Sequence, residues 1–202
     1  MARRSWLIML IAALVAVGGC SRGGGEGPAA SAVGGPFQLV DSSGRAIDQS
    51  MLQGKWTAVF FGYTYCPDFC PLTLQTLVDA RQKLGGKAKD LQLLFVSVDP
   101  GRDTPRQLAD YVANYPGVIG ATGSPAQIQA MTKAYKSYYA YACPKTEGAG
   151  PREAPRDCPQ DYVVDHSTAV YLMDPKGRFV NAVAHGLGPE KTAETMAQAM
   201  KG

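Results

Sequence analysis

One stretch limits what this chain can fold into more than any other: KWTAVFFGYTYCPDFCP, residues 55–71. It opens as an apolar run of Trp56, Ala58, Val59, Phe60 and Phe61, rich in β-branched and aromatic residues, which reads as a strand buried on both faces. Gly62 and Tyr63 break the run. Cys66 and Cys70 follow, with Pro67 between them and Pro71 directly after. Proline is tolerated in the first turn of a helix, where its missing N–H would have had no partner. Leu74, Leu77, Val78 and Leu84 then fall on a helical stripe, predicting a helix over 72–84. Two thiols therefore sit where a central strand hands over to a helix. Their i, i+4 spacing sets both on one face if the turn between them is helical. The positive end of the helix dipole favours thiolate over thiol there. Two easily deprotonated sulfurs at an exposed turn either exchange disulfides or hold a soft metal ion.

The chain's start decides the compartment. Arg3 and Arg4 precede an apolar run over 6–17, and Gly18 and Gly19 lead into Cys20. That is the layout of a secretory signal, too short for the roughly 20 residues of a spanning helix. Val17-Gly18-Gly19-Cys20 resembles a bacterial lipobox, which makes Cys20 the candidate for lipidation and residues 1–19 a signal peptide. An uncleaved membrane anchor is the alternative. Either reading places the domain on the periplasmic side of a bacterial envelope, held to the membrane. Residues 20–35 are rich in Gly, Ala and Ser and read as a flexible tether. Without Arg3 and Arg4 the 20 basic residues become 18, against 17 acidic ones. A near-neutral chain with no basic block argues against nucleic acid as a partner.

The folded part is expected over 36–202. A short strand pair over 37–47 precedes the central strand and helix, and an apolar strand over 91–98 completes a βαβ unit with a right-handed crossover. Thr104-Pro105 and Ser124-Pro125 each pair an N-cap residue with Pro at the first helical position. A short strand over 118–121 separates the two helices they open. Extended segments over 138–142, 162–164 and 169–173, a hairpin closed by 178–183 and a last helix over 189–200 follow. The prediction is an α/β, thioredoxin-like fold: a central mixed sheet flanked by helices, with a β-hairpin. Fold alone does not fix function.

Only two histidines occur. His166 lies in Val164-Asp165-His166-Ser167, between two strand-like runs, where a thioredoxin-like sheet brings a loop back toward the cysteine turn. Asp165 is placed to orient its imidazole from outside the ligand set. His185 reads as a surface residue. Two thiolates and an imidazole make a Cys₂His set, which suits Cu(I), and Cu(II) through the imidazole; zinc would want a fourth ligand or a water.

Three motifs, in order, carry a family resemblance. Tyr63-Thr64-Tyr65-Cys66-Pro67-Asp68-Phe69-Cys70-Pro71 resembles the copper-site motif of the SCO/SenC family. Ser97-Val98-Asp99-Pro100 with Arg102-Asp103-Thr104-Pro105 is similar to a second hallmark of that family. Val164-Asp165-His166-Ser167 with the segment 171–177 is similar to a third. The likeness covers residues 36–202. It implies that Cys66, Cys70 and His166 bind one copper ion, Cu(I) or Cu(II). It implies a metallochaperone that supplies copper to the copper-centre subunit of cytochrome c oxidase, or prepares that subunit's thiols. Another periplasmic copper carrier or a thiol reductase would be further partners. Asp99 and Asp103 match family positions, and capping and turn formation explain them at least as well as a site role. The reading from a different class is an enzyme, a thiol–disulfide oxidoreductase working through Cys66 and Cys70 without a stable metal.

Cys143 and Cys158 bracket a polar, aperiodic stretch. In an oxidising compartment such a pair is expected to form a structural disulfide, worth roughly 3 kcal/mol in the chain-entropy picture; a second redox or copper pair is the alternative, disfavoured because neither residue sits at a helix start or beside a His. Tyr135, Tyr138, Tyr139 and Tyr141 cluster, and core packing explains them better than a docking surface does.

Overall fold

The computed structural model describes residues 33–143 and 162–201. The expected signal peptide, Cys20 and Cys158 lie outside the described residues. Val33 and Gly34, expected to end the tether, belong to the folded unit instead. Val33 packs against the core, and the Gly34 N–H donates to the Ala134 carbonyl at 2.9 Å.

The strands are β1 (Gln38–Asp41), β2 (Ala46–Asp48), β3 (Trp56–Gly62), β4 (Leu91–Ser97), β5 (Val118–Thr122), β6 (Tyr139–Ala142), β7 (Val163–His166), β8 (Val170–Met173) and β9 (Phe179–Val183). The helices are α1 (Phe69–Lys83), α2 (Pro105–Val112), α3 (Pro125–Ala134) and α4 (Gly188–Ala199). Seven strands form one sheet in the order β2-β1-β5-β4-β3-β8-β9. β3, β4 and β5 run parallel, while β1, β8 and β9 pair antiparallel to their neighbours. This is the expected mixed sheet with flanking helices, a thioredoxin-like α/β fold. β3 and β4 at its centre explain the continuous apolar runs: Ala58, Val59, Phe60, Phe61, Phe95 and Val96 have no exposed surface. Among the described residues no helix is long and apolar enough to cross a membrane.

Both predicted cap-and-Pro signals form full capping boxes. Thr104 and Ser124 accept from the N–H groups of Gln107 and Gln127, whose side chains accept in return from the cap N–H groups. The two hairpin turns share one design that the sequence reading passed over. Asp41-Ser42-Ser43-Gly44-Arg45 and Asp174-Pro175-Lys176-Gly177-Arg178 each place Gly in the left-handed region, φ 83° and 73°. In each, the buried aspartate accepts the arginine's N–H and ion-pairs with its guanidinium. The tyrosine cluster splits. Tyr135, Tyr139 and Tyr141 are core, and Tyr138 is half exposed.

Register explains how distant residues meet. Gly62 ends β3 opposite Ser97 of β4, so the cysteine turn and the loop over 98–104 leave the same end of the sheet. β8 runs back along β3 with Val170 opposite Phe60. His166, four residues before Val170, is therefore at that end too. His166 itself belongs to a separate two-stranded ribbon, where β7 pairs with β6 and His166 lies opposite Tyr139. The sequence places it in a loop between strands; it is the last residue of one.

Candidate metal centre

Helix α1 begins earlier than its apolar stripe implies. Phe69 is its first residue, Cys70 lies in its first turn, and Pro71 follows within that turn. Asp68 stands at the N-cap without capping through its side chain. The Cys66 sulfur takes that place, accepting the Cys70 N–H at 3.4 Å. The turn between the cysteines is not helical; the sulfurs meet because one caps the helix that carries the other. Both cysteines are buried, Cys66 at 7% and Cys70 at 0% exposure, where the sequence places them at an exposed turn.

Cys70 Sγ lies 3.5 Å from His166 Nε2. The two Sγ atoms and a ring nitrogen of His166 all fall within 4.8 Å of one another. Metal–ligand bonds of about 2.3 Å to sulfur and 2.0–2.1 Å to nitrogen put donors about 3.5–4 Å apart, so one ion fits with small adjustments. The other ring nitrogen, Nδ1, contacts the Ser167 carbonyl at 3.0 Å. A carbonyl only accepts, so Nδ1 carries a proton, and Nε2 is the nitrogen turned toward the sulfurs. The ring also sits edge-on to Tyr63 and Phe60, with centroids 5.7 and 6.1 Å away. Asp165 does not orient the imidazole: it is exposed, and as the strand neighbour of His166 it projects to the opposite face. A backbone carbonyl does that work, and no side-chain motif announces it.

The sulfurs differ in protonation. The hydrogen bond from Cys70 holds the Cys66 thiol down at about 4 against the cost of burial, with further help from His166 and the N–H groups of Cys70 and Asp68. Cys70 is pushed up, first by donating to Cys66 and then by burial. One thiolate and one thiol thus share a proton.

Gly62 is a site residue that sequence reasoning treated only as a break. A Cβ there would stand 2.6 Å from Cys70 Sγ and 2.8 Å from Phe95, so only glycine lets the sulfur lie against the strand end. Its signal was a Gly closing an apolar strand just before a cysteine motif. Asp103 holds the turn from the other side. It accepts the Thr64 N–H at 2.9 Å, the Thr64 hydroxyl at 2.5 Å and the Ser97 hydroxyl at 2.6 Å. His185 is not a plain surface residue: it is half-buried, with Nδ1 2.9 Å from the Thr73 hydroxyl and its ring against Phe69. Cys143 is buried and carries no free thiol, while its expected partner Cys158 lies outside the described residues.

The SCO1/SenC family profile matches residues 25–201. The mitochondrial Protein SCO1 homolog 1 of Arabidopsis thaliana is 42% identical over 159 residues, 77% of this chain and 44% of that protein. Protein SenC of Rhodobacter capsulatus is 36% identical over 173 residues, 85% of this chain and 72% of that protein. The chain spans about half the length of the Arabidopsis and yeast relatives it matches, 44% and 51%. Among solved structures, copper-bound ScoI of Bradyrhizobium japonicum is similar with a TM-score of 0.70 at 36% identity, over 83% of this chain and 99% of that one. Copper-bound ScoI of Arabidopsis thaliana gives a TM-score of 0.73 at 34% identity, over 84% and 98%. A profile match over most of its length, with relatives this similar, means that the chain belongs to the SCO1/SenC family.

Proposed function

We propose that this protein is a copper metallochaperone. It takes one copper ion between Cys66, Cys70 and His166 and passes it by ligand exchange to the copper-centre subunit of a cytochrome c oxidase. The observation that carries this reading is the convergence of two sulfurs and a ring nitrogen within 4.8 Å. Thiolates select Cu(I), and the imidazole extends the site to Cu(II). The similar ScoI structures that hold copper support the choice of ion. His166 is the most exposed of the three donors, so an incoming ligand from a partner reaches its side of the site first. Residues 1–20 support a periplasmic domain tethered to the membrane through Cys20 or an uncleaved anchor, where tethering raises the local concentration near a membrane oxidase.

The thiol–disulfide reading keeps one specific support, the low-pKa Cys66 beside a protonated Cys70. On that reading the Cys66 thiolate attacks one sulfur of a partner's disulfide, releasing the other as a thiolate and forming a mixed disulfide. Cys70, giving up its proton to the released thiolate, then attacks Cys66 and displaces the partner's remaining sulfur, leaving a Cys66–Cys70 disulfide and a reduced partner. A dithiol reductant would have to restore the pair.

Copper stoichiometry of the reduced protein, compared with His166→Ala, separates the two. One tightly held ion per chain that is weakened at least about tenfold without His166 is the expected result. Weak binding indifferent to His166, together with disulfide reduction, would instead favour the oxidoreductase.

A further inference from the structure

The two halves of the metal centre come from different sheets: the cysteine turn from the main sheet and His166 from the β6–β7 ribbon. The loop between β4 and α2 reaches both. From it the Arg102 guanidinium carbon lies 3.7 Å from the Tyr162 ring centroid, 4.7 Å from that of Tyr65 and 5.7 Å from that of Tyr63. Tyr63 and Tyr65 belong to the cysteine turn, while Tyr162 leads directly into β7. Arg102 Nε donates to Asp99 Oδ2 at 2.5 Å, and Nη1 donates to the Tyr162 carbonyl at 3.0 Å. The Tyr162 hydroxyl donates to the other Asp99 oxygen at 2.7 Å. Tyr141 of β6 donates to the Val98 carbonyl at 3.0 Å and packs its ring edge-on to Tyr162.

This arrangement is a poor way to gain stability. Asp99 has no exposed surface and the Arg102 side chain only 13%, and desolvating such a pair cancels much of its attraction. Arg102 Nη2 is also buried with no partner among the described residues, a further cost. What the pair does accomplish is geometric. Tyr162 is four residues from His166 along one extended strand, about 13 Å of backbone. Tyr65 adjoins Cys66, and the Tyr63 ring touches that of His166.

We propose that Arg102 is a positioning residue, a clasp that sets the spacing between the Cys66 turn and His166 by stacking between Tyr65 and Tyr162 while Asp99 holds it in place. The proposal deepens the copper reading in its metal readout, and a metal-free readout stands apart from it. Arg102→Lys keeps the charge but loses the planar fork and the flat stack; Arg102→Met loses the charge as well. In both, copper affinity of the full chain falls about tenfold or more, the range for partners just outside a ligand set. The sulfur-to-Cu(II) absorption changes with it. In the metal-free reduced protein, the through-space NMR contact between the Tyr63 and His166 rings weakens. Arg81→Lys is the control. Arg81 clips α1 to the Pro116 and Gly117 carbonyls away from the site, so its loss lowers the melting temperature and moves neither readout. Should the Arg102 variants fail to fold, Tyr162→Phe removes only the hydroxyl bond to Asp99 and serves the same test. An unchanged ring contact together with wild-type copper affinity overturns the clasp. If the wild-type protein binds no copper through His166, the copper reading falls, and the metal-free ring contact alone decides the clasp: weakened upholds it, unchanged ends it.

Discussion

Replacing Gly62 with alanine adds one methyl group at the most crowded point of the metal centre. The new Cβ would meet Cys70 Sγ at 2.6 Å, Phe95 Cε2 at 2.8 Å and Phe60 Cε1 at 3.4 Å. All three neighbours belong to residues with no exposed surface, so none can swing into solvent. Relaxing to an ordinary contact of about 3.5–4.0 Å requires the sulfur to retreat by about 1 Å. A retreat of that size is a large fraction of a metal–sulfur bond near 2.3 Å, so the donor set opens. Overpacking of this kind costs about 1–3 kcal/mol. At about 2–4 °C per kcal/mol for a domain of this size, the reduced, metal-free variant melts roughly 2–12 °C lower. If only half of the upper figure falls on the bound geometry, copper affinity drops about tenfold, since each 1.4 kcal/mol is a factor of ten. Thermal melts and competition with a Cu(I) chelator measure the two effects. Gly86→Ala supplies the control, because nothing lies within 4 Å of a Cβ there and its φ is not positive. A Gly62→Ala protein with wild-type melting temperature and copper affinity would show that the strand end yields freely, and the close-approach reasoning would be wrong.

Asp103→Asn leaves shape nearly intact but sets an NH₂ where Thr64 or Ser97 already donates. The loss of about 1–3 kcal/mol expected for an unsatisfied buried group is read by urea denaturation, and equal stability would mean the carboxylate is dispensable. Asp41 gives a pH signature. Burial opposes its ionisation, but hydrogen bonds from Ser43 and Arg45 outweigh that and lower its pKa from 3.8 to about 2. Its stabilisation is therefore complete above pH 3.8 and lost as pH falls through 2. The full shift is discounted to about 1–2 kcal/mol because the Arg45 partner is largely in solvent. Asp41→Asn should flatten the stability difference between about pH 5 and pH 1, the range over which the contribution is lost, by that amount; an unchanged slope would assign the acid sensitivity elsewhere.

The sequence reveals those parts of this molecule that depend on local pattern. The β3 and β4 runs, the two cap-and-Pro helix starts and the closing hairpin all fall within a few residues of their expected places. Their causes are local: apolar continuity, a capping hydroxyl, a fixed proline φ. What escapes notice depends on contacts across the fold. Helix α1 starts at Phe69 because the Cys66 sulfur caps it, which no periodicity shows. Adjacent residues on a strand face opposite ways, so Asp165 cannot serve His166, but that follows only once His166 is known to lie on a strand. The repeated Asp-x-x-Gly-Arg turns were visible as letters. Their equivalence emerges only when both prove to be hairpins with the same buried carboxylate.

The division of the ligands between two substructures bears on what the site is for. Cys66 and Cys70 are fixed by the central sheet, by Gly62 and by α1, all of which belong to the core. His166 sits on a two-stranded ribbon, a unit with little stability of its own. That ribbon is held against the core by the packing of Tyr139, Tyr141 and Val164, by tyrosine hydroxyls and by a stacked guanidinium. The His166 side chain itself is only half-buried, so turning its ring away leaves the ribbon in place, whereas moving either buried sulfur disturbs the core. A site built to retain its ion would gain from three equally rooted ligands. On the copper-carrier proposal, one half-exposed ligand beside two buried ones lets a partner displace the imidazole while both sulfurs still hold the ion, so the cargo changes hands without passing through water.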